Sequence, residues 1–417
     1  MKKGLNQQVD IFEPIKIGVH TVPGIWAYML PASVFNLKIP DERNSTCLNC
    51  PRIVTDKYRE DYRCCTYHPR IPNFLLGMAW LAEDGSKAEF LKGVAQKNWF
   101  LPEGMQATPQ QWANLLADVA EERFGSSKNV LCPMLDTETG YCNIYAFRNS
   151  VCSTFFCLNN HGQKGHDFWA EIASLVGQVE MALAQWALDQ CGFDIGAYIK
   201  RLNALAKNIH ELAKKDQHWK KDILEKLWGV PLSEIPDIYK DCAQHVIKEK
   251  SSLWQIANEW TIVESTTYEK ATHDVVPEEY QDQIEDTYED DEVAMTPQEI
   301  LSDVIKLHTK LFKLPETDIL LNPHVEIEPN PLENEEDNHF AKKPFVLKIM
   351  KKKKPEKYSY REFITAREKK ALEFFKTAKP PIRSTFEHIE KTLGSNAEDF
   401  LTEWNKKKVL KNAKYAD

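Results

Sequence analysis

The sequence predicts a mainly α-helical protein built around an irregular cysteine cluster, with a separate small α+β domain at the C-terminal end. Three observations predict it. Eight of the ten cysteines fall between residues 47 and 157. After them the segment DFWAEIASLVGQVEMALAQWALDQC repeats apolar residues at helical spacing. The last 74 residues carry extended apolar runs and three capped helical segments of their own.

Bulk properties bound the function. At 417 residues the chain can bury a full core, and two or three domains are expected. A formal net charge of −9 argues against broad coating of nucleic acid and leaves room for a local basic site. The start, MKKGLNQQVDIFEP, has two lysines but no apolar region behind them, so it does not read as a secretory signal. No run approaches the roughly 18 apolar residues of a spanning helix. A cytoplasmic location and no membrane association are the expectations. The oligomeric state is not legible.

The elements follow in order. Residues 1–192 are expected to form the cysteine-cluster domain. Its first 46 residues, punctuated by Pro14, Pro23, Pro31 and Pro40, read as irregular or short-strand structure. A helical insertion spans 71–130. Within it Thr108 caps a helix with Pro109 at its first position, and Trp112, Leu115, Leu116 and Val119 form the apolar stripe. The long helix opens at Asp167 and stops at Gly192. Phe168, Ile172, Leu175, Val176, Val179, Leu183 and Trp186 supply its core face. Residues 193–275 form a helical extension, with helices within 196–228 and 241–260. Residues 276–343 read as an acidic linker, because Glu278–Glu292 holds nine acidic residues and no basic one. One helix interrupts it, Thr296–Leu314, with Thr296 and Glu299 as a capping box.

Residues 344–417 read as the small C-terminal domain. PFVLKIM is a strand, Lys351–Lys354 an exposed turn and KYSYREF a second strand. Three short helices follow, capped by Thr365 with Glu368, Ser384 with Glu387, and Asn396 with Asp399. Leu372, Phe375, Phe386, Ile389, Leu393, Phe400, Leu401, Trp404 and Leu410 supply its core. This order resembles a winged helix-turn-helix, and also the small winged-helix modules that bind peptides beside peptide-modifying enzymes. The resemblance implies a protein or peptide partner at the edge of the strand Phe345–Met350. Alternatively it implies DNA bound through Lys351–Lys354 and Lys406–Lys408.

The cysteines carry the chemistry. Cys47 and Cys50 form a C-x2-C pair, Cys64 and Cys65 are adjacent, and Cys132, Cys142, Cys152 and Cys157 close the set. Clustered thiols in a reducing compartment suit metal ligation better than disulfides. Zinc and iron–sulfur centres both take thiolates, typically four per ion or cluster. Cys47 with Cys50, and Cys152 with Cys157, can each form a half-site. Side chains of neighbours in an extended chain point apart, so Cys64 and Cys65 suit two different ions. A binuclear site or a bridged cluster follows, against a single four-thiolate site with extra reduced cysteines. Arg63, Arg70 and Arg148 stand beside the ligands and can offset their negative charge. His68, His161 and His166 are imidazole candidates, whereas Cys191 and Cys242 lie on helices outside the cluster and read as small buried hydrophobes.

This arrangement resembles the CxxCxxCC-type, YkgJ-like cysteine-cluster proteins. Their downstream pattern runs C-P-x-L, then G-x-C-x-I-Y, an arginine, and two further cysteines. The chain supplies Cys132-Pro133-Met134-Leu135, then Gly140-Tyr141-Cys142-Asn143-Ile144-Tyr145, Arg148, Cys152 and Cys157. It departs from the pattern in three places. Thirteen residues separate Cys50 from the CC pair, Asn149 stands where the family has proline, and Cys157 comes one residue late. The resemblance covers roughly residues 44–165 and implies chelation of zinc or iron by Cys47, Cys50, Cys64, Cys65, Cys132, Cys142, Cys152 and Cys157. Some relatives look like flagellin lysine N-methylases, which implies a second hypothesis, an iron–sulfur or metal-dependent enzyme modifying a protein or peptide. No radical CxxxCxxC run, G-x-G-x-x-G or P-loop accompanies it, and catalytic residues are not legible.

Overall fold

The computed structural model describes residues 9–40, 42, 62, 64–82, 85–95, 100–120, 125–156, 162–210, 212, 219–273, 295–311, 319–321, 324–330, 343–351, 354–377, 391–393, 400–401, 403–404, 407 and 409–412. It is mainly α-helical with small antiparallel sheets. It divides into two units: Met1–Cys157 with Phe168–Lys306, and Leu158–Asp167 with Leu307–Asp417. Among the described residues no helix is long and apolar enough to cross a membrane.

The first unit opens with a hairpin of β1 (Ile15–Ile17) and β2 (His20–Val22) that turns at Gly18, whose φ is +59°. Short helices α1 (Trp26–Met29) and α2 (Ala32–Phe35) follow. Past the CC pair come β3 (Ile71–Pro72), α3 (Asn73–Leu81), α4 (Gly85–Ala95), β4 (Phe100–Leu101), β5 (Gly104–Met105) and α5 (Pro109–Ala120). The three strands form one sheet in the order β3-β5-β4. Every residue of α3 from Asn73 to Trp80 is buried, so this helix runs through the core rather than along the surface.

On α5 the expected cap is present in reciprocal form. Gln111 N–H donates to Thr108 Oγ1 at 3.3 Å, and Thr108 N–H donates to Gln111 Oε1 at 2.9 Å. The expected stripe is corrected. Leu115 is buried, but Trp112 and Leu116 are half-buried and Val119 is 50% exposed, while Gln111 and Asp118 are buried instead. Gln111 faces inward because its amide also reaches His68 Nε2 at 3.1 Å, which rotates the helix away from its apolar face.

β6 (Leu135–Asp136), β7 (Tyr141–Cys142) and α6 (Ser150–Thr154) lead to the long helix α7 (Gly162–Gln190). α7 begins five residues before Asp167, through GQKGH, where two glycines hide helicity from a propensity reading. Phe168, Ile172, Leu175, Val176, Val179 and Leu183 are buried as expected, and Trp186 is half-buried. Gly192, with φ +75°, ends the helix, and Phe193 N–H closes the turn on Leu188 O at 3.0 Å.

α8 (Ile195–Ala204), α9 (Lys221–Trp228), α10 (Ile235–Lys248), α11 (Leu253–Glu259) and α12 (Thr266–His273) complete the helical extension. α10 lies against α3 at very close approach. A Cβ on Gly77 would stand 1.9 Å from the carbonyl oxygen of Tyr239, so only glycine fits there. Around this crossing the rings of Trp80, Phe100, Trp228 and Tyr239 pack together at 5.6–6.1 Å. The carbonyls of β4 are satisfied from the helices: Trp228 Nε1 donates to Phe100 O, and the Tyr239 hydroxyl to Leu101 O.

Helix α13 (Pro297–Leu311) crosses the division between the units. Thr296 and Glu299 form the expected box, with Thr296 N–H donating to Glu299 Oε2 at 2.8 Å. The second unit then contains β8 (Ile319–Leu321), β9 (Val325–Pro329), β10 (Phe345–Lys351), β11 (Lys354–Ile364), α14 (Ala366–Thr377) and β12 (Leu410–Asn412). β10 and β11 form the expected antiparallel hairpin. Its tip, residues 352–353, lies outside the described residues. Two expectations are corrected. Part of the stretch read as linker is strand: β8 pairs with β12, and β9 pairs with β10. β10 is therefore the central strand and has no free edge, because β9 occupies the side that was expected to accept a peptide.

The core of this unit follows the sequence closely. Leu372, Phe375, Phe400, Leu401, Trp404 and Leu410 are buried together with Val325, Leu347, Ile349 and Ile364, and Leu393 packs against them. Phe386 and Ile389 lie outside the described residues, as do the caps at Ser384 and Asn396. The cap of α14 is present: Thr365 N–H donates to Glu368 Oε2 at 2.7 Å, and Glu368 N–H to Thr365 Oγ1 at 3.2 Å.

Candidate metal centre

Of the eight expected ligands, Cys64, Cys65, Cys132, Cys142 and Cys152 are described, while Cys47, Cys50 and Cys157 lie outside the described residues. Short local devices place the segments that carry the described cysteines. Cys132 N–H donates to Cys65 O at 2.7 Å, which ties the CC pair to the downstream segment across 67 positions. Cys132 O then accepts from Leu135 N–H at 3.1 Å, a turn that starts β6. The β6–β7 hairpin sets Leu135 opposite Cys142. Asp136 holds its loop by accepting from Glu138 N–H at 2.9 Å and from the Thr139 hydroxyl at 2.7 Å, and Gly140 supplies a φ of +69°.

Cys152 is placed by α6. Asn149 caps that helix by accepting from Cys152 N–H at 3.1 Å, and its amide donates to Arg70 O at 3.0 Å. The Asn149 side chain thus both caps α6 and fixes it to the segment after the CC pair. The guanidinium of Arg148 lies over the Tyr145 ring at 3.8 Å. It donates to Cys152 O at 3.3 Å and to Thr21 O at 3.0 Å.

The thiols feel one another. Burial pushes Cys132 well above its ordinary pKa, and the sulfurs of Cys142, Cys152 and Cys65 push it further. Burial also raises Cys152, with Cys142, Cys65 and Glu180 adding to the rise and Arg148 opposing it. Cys65, Cys132, Cys142 and Cys152 therefore share one electrostatic neighbourhood. For Cys132 and Cys152 the direction of the shift favours the thiol, because burial and neighbouring sulfurs both disfavour the thiolate. Among the described residues, no group of three or more His, Cys, Asp or Glu converges closely enough to hold a metal ion.

The other sequence candidates sort differently. Arg148 stands where it can offset thiolate charge. Arg70 instead pairs with buried Glu103 at 3.0 Å, and Arg63 lies outside the described residues. His68 is buried with Nε2 against Gln111, so that nitrogen is occupied. His166 is mostly exposed beside Asp167, and His161 lies outside the described residues.

Sequence reading missed Glu180. It is 3% exposed on α7, accepts from Ser150 N–H at 3.1 Å, and is pushed up to about 8 by burial. A carboxylate in the middle of a helical apolar stripe is the only trace it leaves in sequence. Also missed was a cavity of about 110 Å³ lined by Arg70, Glu103, Gln178 and Glu269 together with Met181 and Val263. Gln185 joins this region, donating to Glu103 Oε1 at 2.7 Å.

No family model, no curated protein and no solved structure matches the chain.

Proposed function

We propose that this chain is a metal-binding protein in which Cys47, Cys50, Cys64, Cys65, Cys132, Cys142, Cys152 and Cys157 chelate zinc or iron, in a binuclear or cluster arrangement. The observation that carries this reading is the grouping of eight of the ten cysteines between residues 47 and 157, with Cys132 N–H bonded to Cys65 O so that the CC pair and the downstream cysteine segment adjoin. Thiols that raise one another's pKa are poor neighbours as thiolates and good ligands for a dication, which removes their protons and relieves their repulsion. A bound metal would staple the CC segment to the β6–β7 hairpin and to α6, so its binding free energy would add to folding free energy. Arg148 would offset part of the excess negative charge of a four-thiolate site.

The second unit is proposed as a protein- or peptide-recognition module. Among the described residues its three-stranded sheet has edges at β9 and β11, and an added strand would pair there rather than at β10. The acidic balance of the chain favours such a partner over duplex DNA. A mobility-shift titration with the full chain tests the choice: salt-sensitive duplex binding below micromolar would reverse it.

An enzyme modifying a protein or peptide is the second reading. The cavity favours it, since Arg70 lines it with its side chain while its carbonyl is held by the Asn149 cap of the cysteine segment. The absorption spectrum of anaerobically purified protein separates the cases. A colourless protein that shows thiolate-to-metal bands on cobalt substitution supports zinc chelation, and a brown protein supports an iron–sulfur centre. A protein that takes up neither metal sinks both.

A further inference from the structure

Cys191 and Cys242 are 51 positions apart in sequence, yet their sulfurs stand 3.7 Å from each other. They lie outside the proposed metal ligands, and sequence reading took each for a small buried hydrophobe. Cys242 fits that description at 0% exposure, but Cys191 is only half-buried. We infer that Cys191 and Cys242 form a redox-active dithiol that a hydroperoxide converts reversibly to a disulfide. This inference does not rest on the metal reading.

Both backbones are held from outside the pair. Cys191 is the first residue past α7, and its N–H is bonded back to Ala187 O and Leu188 O at 3.1 and 3.0 Å. The turn beyond it is fixed by Gly192 at φ +75°. Phe193 anchors the same turn by packing edge-on against Tyr198 and Trp228. Cys242 sits on α10, which Gly77 lets approach α3 at near-contact. The sulfurs thus meet because two rigid elements point them at each other.

A disulfide sulfur pair is about 2.05 Å apart, so closure asks each sulfur to move by about 0.8 Å, a rotation of about 30° at each χ1. That is the scale of a side-chain adjustment.

The two thiols are not equivalent. Cys191 is reached by solvent and Cys242 is not, so a small oxidant meets Cys191 first. The hydrogen bond from Cys242 lowers the pKa of Cys191, against burial and the charge of Asp241. The same bond, together with burial, raises Cys242. Cys191 is the more ready nucleophile, and Cys242 is the resolving thiol.

The electrons balance with one hydroperoxide. The Cys191 thiolate attacks the terminal peroxide oxygen, the O–O bond breaks to give the sulfenic acid, and the leaving oxygen takes up the proton that Cys191 released to become an alcohol or water. The Cys242 sulfur then attacks the Cys191 sulfur, the S–O bond breaks, and the oxygen leaves as water with the Cys242 proton. The dithiol is oxidised by two electrons and the peroxide reduced by two. A dithiol reductant reverses the step by exchange.

The test treats the full chain with graded hydrogen peroxide, blocks remaining thiols and maps tryptic peptides by mass spectrometry. The expected product joins the peptide 165–200 to the peptide 241–248, lighter than their sum by two hydrogens, and it disappears with dithiothreitol. In Cys242→Ala the reaction should stop at a Cys191 sulfenic acid captured by dimedone, and in Cys191→Ala residue 242 should stay unmodified at the same peroxide dose. Finding Cys191 unmodified in the parent, or joined mainly to a cysteine of the 47–157 segment, would overturn the inference. So would its conversion straight to sulfinic acid without the linked peptide. The parent protein alone decides the matter if either variant fails to fold.

Discussion

Glu180 gives the most exposed prediction about the buried side of the cysteine segment. Burial raises its carboxyl from the ordinary 4.5 to about 8, despite the N–H of Ser150 donating to it. An acid whose pKa is raised by folding binds its proton more tightly in the native state. Between pH 4.5 and about 8 the native state therefore holds a proton that the unfolded chain releases, and stability falls as pH rises through that window. At about 1.36 kcal/mol per pH unit, the full loss above pH 8 is about 5 kcal/mol. Glu180→Gln keeps the shape and the acceptor for Ser150 while removing the charge. In chelator-treated protein, urea unfolding of the variant and parent should agree near pH 4.5 and diverge steadily upward, with the variant more stable by several kcal/mol at pH 8.5. A difference that is the same at both pH values would refute the assignment of a buried, proton-holding carboxyl.

Two further perturbations test the packing. Gly77→Ala places a Cβ 1.9 Å from Tyr239 O, so α3 and α10 must separate, and urea unfolding should show a loss of about 3 kcal/mol or more; a loss under 1 kcal/mol would contradict the close approach. Trp404→Ala in the second unit empties a site that is 1% exposed, for an expected cost of about 3–5 kcal/mol, and a neutral result would remove Trp404 from that core.

Local signals in the sequence carried far. Capping boxes at Thr296 and Thr365, the α7 stripe from Phe168 to Leu183, and the Gly192 stop are written in residues a few positions apart, and the structure has them all. The hairpin of β10 and β11 was legible for the same reason. β9 was not. Val325 and Ile327 alternate with Glu326 and Glu328 over only five residues inside a Pro-, Asn- and Glu-rich stretch, and the strand exists because β10 pairs with it. The face of α5 was misjudged because Gln111 is turned inward by its own cap and by His68, a tertiary partner 43 positions away.

The same division runs through the site. The spacing of cysteines pointed to thiolate chemistry, but how their segments are placed depends on long-range pairing such as Cys132 N–H with Cys65 O. The pairings of Glu180 with the Cys152 segment and of Cys242 with Cys191 join residues at least 28 positions apart and are not written in local spacing. Arg70 and Arg148 looked alike in sequence. Folding gave one to Glu103 and the other to the cysteine segment.

The central claim is chelation by the cysteine cluster, and metal content tests it most directly. Full-length protein purified anaerobically without chelators should carry about two zinc or iron ions per chain by elemental analysis. Cys65→Ala and Cys142→Ala should each lower that content, whereas Cys191→Ala should leave it unchanged. Protein that holds neither zinc nor iron, or that keeps its full content in both cluster variants, would contradict the account.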